Sequence, residues 1–406
     1  MKKTLAALAV LGAFAGSAMA ADVTLYGVVD LGLKYTNVDN DNGTSDTDTL
    51  EMASGMQSGS RFGLKGVEDL GNGMKVGFVL ENGFDADDGE LGNDGRMFGR
   101  EAQLFINGSF GELSFGRVGQ LTSGNGTYGI AGSMTPFGTS WGGAIESSYY
   151  MVGFQRFDNT VTYKSPTFAG VTVYAQYSFD GNTKDEWEYG EGVDADSYSG
   201  SEGHGTATRY ASLGATYKAG GLGLVGTVDW YNWSSNLNRY LGTTEDGSWN
   251  HDYDMKDGFA VTLGGTYDFQ VVKAYLAAQY FDNMWRSSSN CDESMDFAKV
   301  GVGIDGPMKG YAVTAGVDAP VWGGTAMFAV GYTSTEADWD LEADEEKAES
   351  DRWGVGVGYN YPLSKRTNVY AVAGYYQDKI TNEKGVDGDD RDPSTTTVML
   401  GMRHRF

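Results

Sequence analysis

The sequence predicts a sixteen-stranded antiparallel transmembrane β-barrel. Three observations carry that prediction. Hydrophobic periodicity is two nearly throughout. Short and long links between the periodic segments alternate strictly. The last segment, "TTTVMLGMRHRF", keeps its pattern up to Phe406.

The alternation is plain in single segments. "DVTLYGVVDLGLKY" sets Val23, Leu25, Val29, Leu31, Leu33 and Tyr35 against Thr24, Tyr26, Asp30 and Lys34. "GVTVYAQYSF" and "RWGVGVGYNY" behave alike. One face is apolar and the other small or polar. A soluble sandwich and a membrane barrel both accept such strands. Link lengths separate them. Short links fall at 68–73, 109–111, 165–170, 218–221, 268–270, 319–324 and 362–367. Long acidic links fall around 37–56, 85–97, 118–157, 180–207, 234–257, 282–309, 334–350 and 378–394. Tight turns on one side and long loops on the other are the pattern of an outer-membrane barrel.

The predicted strands run 22–36, 57–67, 74–84, 98–108, 112–117, 158–165, 171–179, 208–217, 222–233, 258–267, 271–281, 310–318, 325–333, 352–361, 368–377 and 395–406. A strand of about ten residues crosses a bilayer when tilted. The stretch 296–308 is assigned to a long link, because one extra strand would break the up-down count. Lipid cannot satisfy an open sheet edge, so the last strand must pair with the first. Val398, Leu400, Met402, His404 and Phe406 then face lipid, and Arg403 and Arg405 face water inside. A terminal aromatic such as Phe406 resembles the assembly signal read by the outer-membrane insertion machinery.

Composition narrows the remaining classes. "MKKTLAALAVLGAFAGSAMA" has a basic start, a short apolar run and an A-x-A site, so residues 1–20 read as a secretory signal. Residues 21–406 form the barrel. No later run is apolar enough for a spanning helix. The formal charge of −26 becomes −28 once Lys2 and Lys3 are removed, which excludes non-specific nucleic-acid binding. Cys291 is the single cysteine and reads as incidental, in a polar link. His204, His251 and His404 are the only histidines, and no GxSxG element occurs, so an enzyme is not expected. "DNDNGTSDTD" misses the spacing of a calcium loop, so no metal or cofactor is implied, although divalent ions could bridge such loops to lipopolysaccharide.

Several segments together resemble the general porins of Gram-negative bacteria, especially the betaproteobacterial and neisserial type. They are "TLYGVVDLG", "GSRFGLKGVEDLGNGMKVGFVLENGF", "FGREAQLFINGSFGELSFGR", "YPLSKRT" and "GMRHRF", in the family's order. The resemblance implies passive diffusion of ions and small hydrophilic solutes through a homotrimer. It also implies a third loop, here 118–157, that folds inward and narrows the pore. Its Pro-containing element appears as Met134 to Gly138, around Pro136. Enterobacterial relatives carry carboxylates there; this sequence has Ser133 and Phe137, and Glu146 is the substitute acidic residue.

The basic side of the constriction follows from phase and resemblance together. Arg61 and Lys65 take the inward phase opposite Phe62 and Leu64. Arg156 shares the inward phase of Thr160 and Thr162. Arg117 matches a family arginine, but strict alternation puts it outward unless Gly116 introduces a bulge. Asp30 is inward, as pore lining or as a wall hydrogen bond. Arg100 has the phase of Leu104 and reads as a trimer-interface or latch residue. With Glu146 the only acid on the loop, a modest anion preference is expected. The alternatives are a plugged structural or adhesive barrel, and a cation-preferring or substrate-specific channel. Tyr and Trp are plentiful, but many take the outward phase of interfacial girdles rather than an internal file.

Overall fold

The computed structural model describes residues 23–41, 46–138, 141, 155–181, 207–233, 256–284, 308–337, 349–381 and 390–406. The signal segment, Glu146, Cys291, His204, His251 and most of 296–308 lie outside them.

The strands are β1 (Thr24–Asp39), β2 (Thr47–Ser54), β3 (Arg61–Gly71), β4 (Met74–Gly83), β5 (Glu101–Gly108), β6 (Gly111–Gly119), β7 (Arg156–Lys164), β8 (Val171–Ser178) and β9 (Arg209–Ala219). They continue with β10 (Leu222–Asn232), β11 (Gly258–Asp268), β12 (Lys273–Met284), β13 (Met308–Val321), β14 (Gly324–Ala337), β15 (Glu349–Pro362), β16 (Thr367–Thr381) and β17 (Ser394–Arg405). All neighbouring pairs are antiparallel, and β17 pairs with β1 from Val28–Arg405 to Asp39–Ser394, which closes the sheet. β2 and β3 are two parts of one wall strand. The outer half of β1 pairs with β2, and its first five residues pair with β3. The wall therefore has sixteen strands.

This corrects the second predicted strand. Residues 47–54, assigned to a link, are strand, and the interruption at 55–60 overlaps the first four residues of the predicted 57–67. The cause is local. Gly55 takes φ +71, which turns the chain out of the ladder. The acidic composition of "TDTLEMAS" hid an alternation that puts Leu50 and Met52 outward and pairs Glu51 with Lys34 at 3.2 Å.

The two faces separate as the alternation requires. Leu213, Leu263, Leu276 and Leu400 are exposed on the outer surface, where lipid covers them. On the opposite face Ala260, Ala277, Ala312, Thr262 and Met399 are buried. Phe406 closes the seam: its amide donates to the Gly27 carbonyl and the Gly27 amide donates back, each at 3.1 Å. Its ring packs where a Cβ on Gly27 would stand, so only glycine fits there.

Candidate functional site

Residues 120–138 and 141 pack against inward-facing residues of β9 to β17. Ile130 meets Gly214, Met134 meets Gly264, Pro136 meets Gly316 and Phe137 meets Gly358. These glycines lie on β9, β11, β13 and β15, and a Cβ at Gly214, Gly316 or Gly358 would stand 2.8 Å from the facing side chain. Trp141 ends the row, edge-on to Tyr370 of β16 at 5.0 Å between ring centroids. Met56, Phe137, Trp141, Met327, Tyr370, Val372 and Met399 form one apolar cluster.

Polar contacts fix the start of this segment. Gln120 Nε2 donates to the Tyr231 hydroxyl at 2.9 Å. Thr122 Oγ1 donates to Asp229 Oδ2, and the Tyr210 hydroxyl donates to Asp229 Oδ1, each at 2.5 Å. Tyr128 donates to Glu112 at 2.9 Å. Burial and the Glu112 carboxylate hold that phenol well above its ordinary pKa, so it stays a donor.

The predicted basic residues gather on β3 to β7. Arg61 donates to Ser58 Oγ and the Gly59 carbonyl, and lies 3.5 Å from Glu81. Lys65 is exposed and sits over the Tyr26 ring, 5.2 Å from its centroid. The Tyr26 hydroxyl donates to Glu81 at 3.0 Å. Arg117 opposes Ala102 in the β5–β6 ladder, on the face of Leu104 and Phe115, as strict alternation reads it; the register shift between Gly116 and Val118 sets it against Asp158 and Asn159 of β7, and Gly116 takes φ +132. Its Nη1 lies 2.7 Å from Asp158 Oδ1. Arg156 acts electrostatically on Glu101.

By phase Arg100 reads as a trimer-interface or latch residue. It precedes β5, so strand alternation does not govern it, and its Nε donates to Glu81 Oε1 at 2.8 Å. Asp30 is fully buried. Its carboxylate accepts from the amides of Gln57 and Ser58 at 2.7 and 2.6 Å and from Tyr370 at 2.6 Å. That is a wall hydrogen-bond role, one of its two readings, and it holds the interruption between β2 and β3. Pro136 lies against Gly316 in the 120–138 segment.

Four partners were missed: Glu81, Glu101, Asp158 and Arg96, which binds Asp158 at 3.0 Å. The signal was present for two of them. Glu81 shares the phase of Val79, opposite Phe78 and Leu80. Asp158 shares the phase already used for Arg156. Among the described residues the group holds five arginines (Arg61, Arg96, Arg100, Arg117, Arg156) against three carboxylates, a cationic excess.

A Gram-negative porin family model matches residues 6–381. The chain belongs to the Gram-negative porins. It is 33% identical to an outer membrane porin protein of Bordetella pertussis and 30% identical to outer membrane porin protein 32 of Delftia acidovorans, over the full length of both partners in each case. Among solved structures, an anion-selective porin from Comamonas acidovorans superposes with TM-score 0.64 at 24% identity, covering 95% of this chain and 100% of that one. The trimer form of OmpT from Vibrio cholerae gives 0.55 at 16% identity, with 95% and 100% covered. This porin is therefore an outer-membrane diffusion channel, in a family of channels rather than enzymes.

Proposed function

We propose that this porin passes ions and small hydrophilic solutes with a modest preference for anions, and that the 118–157 loop narrows its passage. The observation that carries the proposal is the excess of five arginines over three carboxylates gathered between Arg61 and Asp158. Every permeating ion passes that group within low-dielectric walls, which focus its field. The anion-selective relative is consistent with the same preference. A homotrimer is part of the reading, supported by the trimer form of a structural relative. Lipopolysaccharide contact, and recognition of Phe406 by the insertion machinery, belong to it as well.

Single-channel recording in planar bilayers tests the reading. Open channels conduct in steps proportional to salt, whereas a plugged adhesive barrel does not. Deleting Gly124 to Gly143 is expected to raise conductance and admit larger solutes. Unchanged conductance in a folded deletion variant would place the narrowest point elsewhere.

A further inference from the structure

A cavity of about 760 Å³ lies between residues 124–138 and the short-link ends of the strands from β9 to β17. Its charged lining is Lys218, Lys273 and Arg403, with no carboxylate. Asp268 and Asp318 lie opposite Lys273 in the adjacent strands, outside the lining. Asp30, opposite Arg403, is turned toward the amides of Gln57 and Ser58. The cations come from three well-separated strands, so they surround a space rather than converge on one ligand.

The other end of the barrel has the opposite sign. Asp39, Asp46, Asp48, Asp87, Asp88 and Glu90 are exposed at the long-link end. In the sequence, the short links set Glu68, Asp69 and Asp268 against Lys218, Lys365 and Arg366, and so carry no net charge. With Lys2 and Lys3 of residues 1–20 set aside, a net charge of −28 therefore resides in the long links and the wall.

We propose that this axial separation of fixed charge makes the channel rectify ionic current. The acidic outer end is rich in mobile cations and the cationic inner end in mobile anions. When the outer side is positive, cations enter through the acidic end and anions through the cationic end. Both accumulate in the middle, and conductance rises. With the polarity reversed, each ion must enter through the zone that excludes it, the middle is depleted, and conductance falls. The effect requires an open pore but not the anion preference, because a channel can rectify whichever ion it favours.

The test is the ratio of currents at equal and opposite voltages in single channels. At ~0.01 M salt, where the Debye length is roughly 30 Å, a ratio on the order of two is expected. It should approach one in ~1 M salt, where the length is about 3 Å. Lys218→Gln with Lys273→Gln should lower the low-salt ratio. The four changes Asp46→Asn, Asp48→Asn, Asp87→Asn and Asp88→Asn should lower it from the opposite end. A linear current–voltage relation in the unmodified protein at low salt overturns the proposal, as does a ratio that neither set of changes alters. A rectifying channel whose reversal potential shows cation preference would support this inference and contradict the proposed selectivity.

Discussion

Asp30 shows how one buried residue anchors the wall. Its carboxylate takes two amides and a tyrosine hydroxyl at 2.6–2.7 Å, with no exposure to solvent. Removing it leaves those donors buried and unpaired, which costs far more than the net worth of each bond. Asp30→Ala is expected to cost about 3 kcal/mol, read as a lower temperature for loss of the folded gel mobility. Asp30→Asn, which keeps an acceptor, should cost less; equal stability of Asp30→Ala and the unmodified protein would contradict the anchoring role. At the seam, deleting Phe406 should impair outer-membrane assembly while export continues. Both residues were visible in the sequence, by phase and by position. What Asp30 binds was not, because its partners on β16 and in the β2–β3 interruption lie 340 and about 27 positions away. The pairing of Arg100 with Glu81 was hidden for a related reason: alternation assigns faces only within a strand, and Arg100 stands just before one.

At the scale of elements, the wall strands were legible wherever one face is apolar. β8 and β11 begin at the predicted residues and end within one residue of the predicted limit. The misses lie beyond the lipid-facing band. β14 runs on to Ala337 and β16 to Thr381, past the predicted ends at 333 and 377, because the outward face becomes polar there and periodicity in hydrophobicity no longer marks a strand. β2 was lost in the same way. The 120–138 segment has no period at all, and its seat is a row of glycines on four strands far apart in sequence. Filling one of those positions should unseat it. Gly358→Val places its side chain against Phe137, so the segment must shift, and the expected result is higher conductance with more current noise in a barrel that still folds. Identical traces would mean that the segment does not bound the passage. Thr122→Ala, which removes the bond to Asp229, should increase the noise with less change in mean conductance.

For the whole molecule, two charge distributions compete. The chain is strongly acidic, with exposed carboxylates at the long-link end, while arginines are in excess in the group between Arg61 and Asp158. Screening decides between them. At physiological ionic strength the Debye length is about 8 Å, so ions at the arginine group feel it more than the distant carboxylates. At ~0.01 M the acidic end is felt as well, and the anion preference should weaken or reverse. The carboxylates Glu81, Glu101 and Asp158 refine this expectation. Glu81 and Asp158 pair with arginines and Glu101 lies within the influence of Arg156, which leaves only a partial excess, so a modest preference is expected. Arg61→Ala with Arg156→Ala would remove that excess. The most direct measurement is the reversal potential across a salt gradient at about 0.1 M or above, for the unmodified channel and for that double variant. The account predicts anion preference in the first and its loss in the second, with the barrel still folded. Firm cation selectivity in the unmodified channel would contradict it.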